Sequence, residues 1–318
     1  MADVEIIINP SELGAGTRGS SLGPSALIVE ARQRGLDFFG RHSNTTIADE
    51  NHLLNYPSDF EYAHYIDAIH RIYIRVAEAT SEVLKRGNFP IVLAGDHSSA
   101  AGTIAGIKNI HPDKRLGVIW IDAHADLHSP YTTPSGNLHG MVLCNAIGDD
   151  NLEQKINDPD ARTIEYWNKL KAVGLLSDIK AEDVIYMGLR NFEAAEEEFI
   201  RRCGMRTYSV EELRNKRIDI VVNEVENKLE DCDLVYISFD VDSMDPSMVS
   251  RGTGTPCDNG LTAEEAEILV RKFSVWSKCC CLEFVEINPV LDDKNNRMTE
   301  VAFDILEKVT TDLEKRLG

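Results

Sequence analysis

Residues 119–126 read Ile-Trp-Ile-Asp-Ala-His-Ala-Asp, and the change of character inside this segment is the strongest pattern in the sequence. Residues 116–121 are almost all apolar and rich in β-branched and aromatic side chains, which predicts a strand buried on both faces of a parallel sheet. Asp122, His124 and Asp126 follow at alternate positions, so an extended chain projects them to one side. The carboxyl end of such a strand is where open α/β sheets hold their ligands.

Apolar segments with strand character alternate with amphipathic helical segments along the rest of the chain. The predicted strands are 4–8, 90–94, 116–121, 184–188, 206–209, 234–239 and 279–285. The predicted helices are 24–34, 61–86, a segment ending near 108, 138–147, 191–202, 218–229, 262–272 and 297–317, and residues 151–177 are expected to be helical or irregular. This alternation predicts a single α/β domain, residues 1–318, whose parallel sheet is covered by helices on both faces. A closed (β/α)₈ barrel ranks second because the strands are unevenly spaced.

The chain carries a net charge of −20 at pH 7, which argues against nucleic-acid binding through a basic face and mildly favours a small cationic substrate. Its seven cysteines include no C-x-x-C pair, so we interpret them as buried thiols in a reducing compartment. The sequence begins without the features of a signal peptide and has no apolar stretch of membrane-spanning length. We therefore expect a cytoplasmic protein that binds neither nucleic acid nor membrane.

Two other features of the sequence are interpreted as structural. The glycine- and serine-rich segment 14–23 fits neither a phosphate loop nor a dinucleotide fingerprint, and it predicts a surface loop near the site. His64 and His70 lie in the predicted helix 61–86 without acidic or histidine partners at ligand spacing. We interpret both as ordinary surface or half-buried histidines.

Three of the predicted buried strands end in side chains that bind metals. His97 follows one strand, the group from Asp122 to Asp126 follows another, and Asp240 and Asp242 follow a third. These residues supply four carboxylates and two imidazoles. Six donors, most of them oxygen, suit two cations that share carboxylates better than one structural zinc ion. Mn²⁺ fits the donor set well, and Fe²⁺, Co²⁺, Ni²⁺ and Zn²⁺ bind the same atoms. Because such a pair of ions activates water near neutral pH, the pattern predicts a hydrolase.

Four segments resemble the signature blocks of the ureohydrolase family, which includes arginases, agmatinases and formimidoylglutamases. They are Ala-Gly-Asp-His-Ser at 94–98, Asp-Ala-His-Ala-Asp at 122–126, Ser-Phe-Asp-Val-Asp-Ser-Met-Asp-Pro at 238–246 and Glu-Ile-Asn-Pro at 286–289. The blocks occur in the order that the family has. The resemblance implies a three-layer α/β/α sandwich with a central parallel eight-stranded sheet, a pair of Mn²⁺ ions, and a homo-oligomer that is a trimer or a hexamer.

The resemblance also implies a role for each candidate ligand. One Mn²⁺ is expected to be held by His97, Asp122, Asp126 and Asp240, and the other by Asp122, His124, Asp240 and Asp242. A hydroxide bridging the two ions would attack the guanidinium carbon of the substrate. Asp126 would move the proton of that hydroxide to the leaving amine. Glu286 would pair with the guanidinium, since a planar cation suits a planar carboxylate.

The segment 132–140, Thr-Thr-Pro-Ser-Gly-Asn-Leu-His-Gly, closely resembles arginases, and the N-terminal segment through about Leu54, which differs from animal arginases, suggests the bacterial type. By this resemblance, Ser135 and Asn137 contact the α-carboxylate of the substrate, and His139 acts as a proton shuttle. Thr255 is expected near the guanidinium. The implied reaction is the hydrolysis of L-arginine to L-ornithine and urea, at a C–N bond that is not a peptide bond.

Two positions depart from the better-known arginases. His128 stands where they have an asparagine that helps to hold the α-carboxylate. In the loop that begins with Gly188-Leu-Arg190, Glu193 and Glu196 are the positions expected to contact the α-amino group, and Glu193 replaces an aspartate. We expect the preference for arginine to survive with weaker binding. Agmatinase, formimidoylglutamase or another guanidine or amidine hydrolase is the alternative, and a catalytically silent binding protein is a third hypothesis.

Overall fold

The computed structural model describes residues 2–174 and 179–318. In this part of the chain, eight strands form one sheet: β1 (Val4–Asn9), β2 (Ser43–Thr46), β3 (Phe89–Ala94), β4 (Leu116–Ile121), β5 (Val184–Met187), β6 (Arg206–Tyr208), β7 (Leu234–Asp240) and β8 (Cys279–Val285). Their order is β2-β1-β3-β8-β7-β4-β5-β6, and every adjacent pair runs parallel. Within the described residues the edge strands β2 and β6 do not pair with each other, so the sheet is open and the alternative of a closed barrel is wrong.

Helices cover both faces of this sheet. They are α1 (Gly23–Gln33), α2 (Phe38–Arg41), α3 (Ile66–Lys85), α4 (Ala100–Ile110), α5 (Val142–Ile147), α6 (Ala161–Lys171), α7 (Ala194–Cys203), α8 (Val210–Lys216), α9 (Ile218–Lys228), α10 (Ala263–Ser274) and α11 (Arg297–Leu317). Side chains of α1 and α8 to α11 enter one hydrophobic core, and side chains of α3 to α7 enter the other. The predicted three-layer α/β/α sandwich is therefore confirmed. No helix in residues 2–174 and 179–318 combines the length and the apolar character needed to cross a membrane.

The position of β4 inside the sheet, between two helical layers, explains why its sequence is apolar at successive positions. Ile119 and Ile121 belong to the core under α1 and α8 to α11, whereas Val118 and Trp120 belong to the opposite core. All four side chains are fully buried. Because successive side chains of a strand point to opposite faces, a strand between two helical layers needs apolar residues at odd and even positions alike.

The predicted helix 61–86 begins later than expected, at Ile66. Tyr65 has a left-handed backbone with φ of 55°, which ends the preceding turn and separates it from α3. The strand β2 was not predicted, because its sequence Ser-Asn-Thr-Thr is polar and exposed at the edge of the sheet. In the segment 151–177, α6 is helical as expected, and residues 175–177 lie outside the described residues.

The strands that precede the candidate ligands are neighbours in the order β3-β8-β7-β4. The register pairs Ile121 of β4 with Phe239 of β7, so Asp122 and Asp240 are the next residues at one edge of the sheet. Asp240 is in turn paired with Val285 of β8, which is followed by Glu286. The parallel topology therefore brings the predicted ligands together without any long loop.

We predict that Gly106→Ala destabilises the protein by about 1–3 kcal/mol, because a Cβ at this position would lie 2.7 Å from both Ala77 O and Thr80 Cβ of α3. The sign of this change in stability is informative, since a glycine-to-alanine substitution in an uncrowded helix stabilises a protein by up to about 1 kcal/mol. Urea unfolding followed by circular dichroism measures the change. The control Asn109→Ala, also in α4, should alter the free energy of unfolding by less than about 0.5 kcal/mol. A gain in stability for Gly106→Ala would contradict the close packing of α3 on α4.

Candidate active site

The imidazole of His97, just after β3, is held in one orientation by its neighbours. Its ring stacks on Trp120 of β4, with centroids 4.1 Å apart and planes inclined by 4°. Its Nε2 lies 2.7 Å from Oγ of Ser238 in β7. Asp96 accepts a hydrogen bond from the backbone N–H of Ser98 at 2.9 Å, which caps the short 3₁₀ turn that starts at His97. The second ring nitrogen, Nδ1, is left to face the end of β4.

Three carboxylates surround Nδ1 of His97. This nitrogen lies 3.2 Å from Asp122 Oδ2, 3.1 Å from Asp126 Oδ2 and 3.3 Å from Asp240 Oδ2. All of these side chains are buried. Among the described residues, neither His97 Nδ1 nor Asp122 Oδ2 has a correctly directed hydrogen bond. Buried donor atoms that converge without bonding one another are what a cation site requires.

Asp122 also belongs to a second group of ligands. Nδ1 of His124 lies 2.9 Å from Asp242 Oδ2 and 3.6 Å from Asp122 Oδ1. The backbone N–H of Asp242 donates to Asp240 Oδ1 at 2.8 Å, which fixes the two carboxylates at the end of β7. In each group, His97 with Asp122 and Asp240 or His124 with Asp122 and Asp242, the ligand atoms lie within 4.8 Å of one another. Each group can hold a metal ion, and the two groups share Asp122.

The charges of these side chains do not balance on their own. Burial and the negative charges of Asp242 and Asp122 raise the pKa of Asp240 well above its ordinary value. Burial also acts to raise the pKa of Asp122, but the neighbouring imidazoles of His124 and His97 lower it overall. Carboxylates this close are stabilised together only by added positive charge. The donor set therefore fits a pair of divalent cations.

Asp126 and Glu286 both have a left-handed backbone, with φ of 53° and 65°. This conformation costs roughly 1–3 kcal/mol in a residue other than glycine. Backbone hydrogen bonds hold both residues in place, from Leu143 N to Asp126 O at 3.0 Å and from Glu286 N to Gly95 O at 2.9 Å. In this conformation the Asp126 carboxylate reaches the ring of His97, and Glu286 Oε1 accepts the backbone N–H of His97 at 3.0 Å.

The half-buried His139 and the buried Glu286 form an ion pair beside the metal-type ligands. Nδ1 of His139 lies 3.1 Å from Glu286 Oε1. Burial alone would lower the pKa of His139, but the hydrogen bond to Glu286 and the charges of Glu286 and Asp126 raise it to about 9. His139 is part of the cleft wall, whereas Glu286 is 1% exposed and lies behind it. A substrate therefore meets His139 before it meets Glu286.

Ser135 and Asn137 lie at the rim of the same cleft, where Ser135 is exposed and Asn137 is half-buried. Oγ1 of Thr133 accepts the backbone N–H groups of Ser135 and Gly136 at 3.2 and 3.0 Å. The backbone N–H of Asn137 donates to Ser135 Oγ at 3.2 Å. These bonds close a tight turn, which holds both predicted contacts for a carboxylate at the opening.

His128 is bonded at both ring nitrogens. Nε2 lies 3.0 Å from Glu193 Oε2, and Nδ1 lies 3.1 Å from Thr132 Oγ1. Burial would lower the pKa of His128, but the hydrogen bond to Glu193 and the charge of Glu196 raise it. The imidazole is therefore oriented by the protein before any substrate arrives.

The carboxylate of Glu196 is committed to the start of α7. Its oxygens accept the backbone N–H groups of Leu127 at 3.0 Å and of Glu193 at 2.9 Å, in a capping box. Burial raises the pKa of Glu196 to about 8, although the nearby His128 acts in the opposite direction. Glu196 lines the cleft, but its immediate contacts are structural.

The predicted site residues meet in one place. The cleft wall includes His97, His124, Asp126, His128, Ser135, Asn137, His139, Glu193, Glu196, Asp240, Asp242 and Thr255. Asp122 and Glu286 lie beneath this surface, each with at most 1% exposed. Oγ1 of Thr255 donates to Asp242 Oδ2 at 3.0 Å, so Thr255 adjoins the second ligand group. Asn191, which the sequence did not single out, also lines the cleft, with Nδ2 3.2 Å from Nε2 of His124.

The start of the segment 14–23 is more deeply placed than a surface loop, whereas Gly16, Arg18 and Leu22 are exposed. The backbone N–H of Gly14 donates to Asp96 Oδ2 at 2.7 Å, and its carbonyl oxygen accepts the N–H of His139 at 3.2 Å. A Cβ at Gly14 would lie 2.4 Å from Cβ of Ser98, so a side chain there would separate the loops. The segment borders the site as expected, and Gly14 packs against the loops beneath the site.

Arg190 is a second residue whose importance the sequence did not reveal. Its guanidinium donates to five backbone carbonyl oxygens at 2.7–3.2 Å: Gly188, Asp242, Ser243, Cys257 and Asp258. These carbonyls belong to three separate segments, one after β5, one after β7, and one beside Thr255. Because the five N–H groups of arginine form a rigid fork, one side chain fixes the relative positions of the three loops.

We predict that Arg190→Lys weakens cation binding at the second ligand group by about tenfold, because lysine has three donors and no planar fork. Isothermal titration of the apoprotein with Mn²⁺ measures this affinity, and thermal unfolding should show a lower midpoint. Arg297→Lys is the matched control, since Arg297 bonds only Glu300 on the surface of α11 among the described residues. Unchanged affinity and midpoint for Arg190→Lys would show that the loops hold their positions without it.

Known proteins resemble this chain over nearly its whole length. The Arginase family model matches residues 2–311. The arginase of Brevibacillus brevis is 33% identical over 316 residues, which cover 98% of each chain. The solved arginase of Bacillus subtilis subsp. subtilis str. 168 superposes with a TM-score of 0.81 at 30% identity, covering 97% of this chain and 98% of that one. The Entamoeba histolytica arginase in complex with L-ornithine gives a TM-score of 0.82 at 25% identity and covers 99% of both chains.

Proposed function

The chain belongs to the arginase family, and from this premise we propose that it hydrolyses L-arginine to L-ornithine and urea. The observation that carries the proposal is that two metal-type ligand groups and a rim with donors for a carboxylate share one cleft. This arrangement suits a substrate that has a guanidinium at one end and a carboxylate at the other. A similar structure, the Entamoeba histolytica arginase, was solved with L-ornithine, which is the product that the proposal requires.

We propose that two Mn²⁺ ions occupy the ligand groups. His97, Asp122, Asp126 and Asp240 would hold one ion, and Asp122, His124, Asp240 and Asp242 would hold the other. Support comes from the buried atoms of His97 and Asp122 that lack hydrogen bonds within the described residues, and from the mixed carboxylate and imidazole donors. Bound cations of this kind lower the pKa of water enough for it to act as a nucleophile near neutral pH.

The side chains around the ligands suit the proton transfers of this hydrolysis. Asp126 lies on the cleft wall beside the other proposed ligands, with Oδ2 3.1 Å from Nδ1 of His97, so its carboxylate is placed to accept a proton from water and pass it to the leaving amine. His139, with a pKa raised to about 9, is protonated at neutral pH and lies on the cleft wall, as a proton shuttle requires. Oε2 of Glu286, free of hydrogen bonds within the described residues, is the acceptor that we assign to the guanidinium.

The remaining contacts would select the substrate. We assign Ser135 and Asn137 to the α-carboxylate, and Thr255 to the vicinity of the guanidinium. Glu193, whose carboxylate is more exposed than that of Glu196, is the stronger candidate for the α-amino group. Both ring nitrogens of His128 are already bonded, so His128 can donate to the substrate only when it releases Glu193 or Thr132.

A substrate panel tests the proposal. Protein loaded with Mn²⁺ should release urea from L-arginine and much less from agmatine or guanidinobutyrate, because these compounds lack the α-amino-acid group. Formimidoylglutamate, which yields formamide, is assayed separately. Activity on agmatine without activity on L-arginine would reject arginase activity and favour an agmatinase.

The variant Asp122→Ala serves as the negative control for the panel. It removes the carboxylate shared by both ligand groups, so bound manganese and turnover should both fall by more than about a hundredfold. Manganese content by mass spectrometry is the second readout. Full activity in this variant, or a wild-type protein that retains no metal after loading, would contradict a metal-dependent hydrolase and favour a silent binding protein.

We predict that His128→Asn lowers the KM for L-arginine by about threefold and leaves kcat within twofold, because an asparagine amide is a donor that Glu193 and Thr132 do not already occupy. Steady-state urea release measures both constants. Agmatine, which has no α-carboxylate, should show no improvement. An unchanged or higher KM for L-arginine would show that His128 already serves the carboxylate in the substrate complex.

We further propose that residues 1–318 form a single domain, that the protein is a trimeric or hexameric homo-oligomer, and that it acts in the cytoplasm. Both hydrophobic cores combine elements from early and late in the chain, which supports a single domain. The seven cysteines are free thiols, which suits a reducing compartment. The family resemblance supports the oligomer, and light scattering during size-exclusion chromatography measures its mass.

A further inference from the structure

His64 contacts the rim of the cleft from outside its wall. The residue lies just before α3 and is half-buried. Its backbone N–H donates to Gly136 O at 2.7 Å, and its ring nitrogen Nδ1 lies 3.2 Å from Asn137 Oδ1. His64 therefore bonds both the backbone and the side chain of the turn that presents Ser135 and Asn137.

The turn and the segment around His64 are packed closely at Gly136. This glycine has φ of +75°, and a Cβ on it would lie 2.5 Å from Glu61 O and 3.1 Å from His64 Nε2. A side chain at 136 would push the imidazole away from the turn. The absence of a Cβ thus allows the ring to reach Asn137.

The hydrogen bond to His64 determines which end of the Asn137 amide is free. A carbonyl oxygen accepts hydrogen bonds only, so the proton between these residues belongs to Nδ1 of His64. With Oδ1 occupied, the Nδ2 group with its two N–H donors is the end available to a ligand. A carboxylate accepts hydrogen bonds only, so it requires this orientation of the amide.

Gly16 holds the amide from the other side. A Cβ at residue 16 would lie 2.7 Å from Nδ2 of Asn137, so the amino group occupies space that a side chain would fill. The amide is therefore confined between the ring of His64 and the backbone of Gly16. These two contacts come from different segments, and together they limit the movement of the amide.

We propose that His64 is a positioning residue that determines specificity, because it orients the Asn137 amide to donate to the α-carboxylate of the substrate. The inference rests on the proposed arginine hydrolysis and extends it to a residue outside the cleft wall. His64 has no contact with the metal-type ligands in the described structure, so its effect is confined to ligands that carry a carboxylate.

The test compares two product-like ligands that differ in the carboxylate. Inhibition constants for L-ornithine and for 1,4-diaminobutane are measured on the Mn²⁺-loaded wild-type protein and on His64→Ala. We expect His64→Ala to weaken L-ornithine and to raise the KM for L-arginine by about tenfold, as the loss of an oriented hydrogen bond to a charged group does. The constant for 1,4-diaminobutane and kcat should stay within twofold.

Three further variants separate positioning from folding. His64→Asn should restore most of the L-ornithine affinity, because its Nδ2 can donate from nearly the same place as the histidine Nδ1. Gly16→Ala should weaken L-ornithine selectively, as His64→Ala does, because it displaces the same amide. His70→Ala is the matched control in α3, since its ring packs on Tyr166 and does not line the cleft.

If His64→Ala weakens the binding of both ligands equally, His64 has a merely structural role and the inference is overturned. Unchanged binding of L-ornithine in this variant would also overturn the inference. Failure of His64→Asn to restore binding, with a normal thermal midpoint, would also count against it. If the wild-type protein releases no urea from L-arginine, the proposed function itself fails, which is a different result from a wild-type arginase that tolerates His64→Ala.

Discussion

Buried carboxylates repel one another, and at one edge of this sheet Asp122, Asp126, Asp240 and Asp242 are crowded around two imidazoles. Water cannot screen these charges because the side chains are almost completely buried. The arrangement favours the uptake of protons or of cations between the carboxylates. The site is therefore suited to binding cations, and a bound cation can activate water for hydrolysis.

The surrounding structure holds these charges in place by backbone contacts more than by side-chain pairs. Arg190 joins three loops through their carbonyl oxygens, and the left-handed conformations of Asp126 and Glu286 are held by hydrogen bonds to Leu143 and Gly95. Such contacts position the ligand-bearing loops without adding a further carboxylate to a site that already has an excess of negative charge. Contacts to the backbone thus hold the loops, and the carboxylates and imidazoles are left available for cations.

The sequence predicted the elements whose physics is local. The strand β4 has the predicted bounds because both of its faces are buried, and the six candidate metal ligands were singled out because each lies at or just after the end of such a strand. The edge strand β2 was missed because its four residues are polar and exposed. His64 and Arg190 were missed for another reason: their partners are distant in sequence, or are backbone carbonyls that every residue possesses.

The order of the strands also has a consequence for synthesis of the protein. Of the eight strands in the described residues, β8 is translated last, yet it lies in the middle of the sheet between β3 and β7. A nascent chain on the ribosome that has not yet reached residue 279 can form only two partial sheets, each with an open hydrophobic edge. Because β8 joins them and brings Glu286 to His97, assembly of the catalytic cleft must wait until residue 286 has left the exit tunnel.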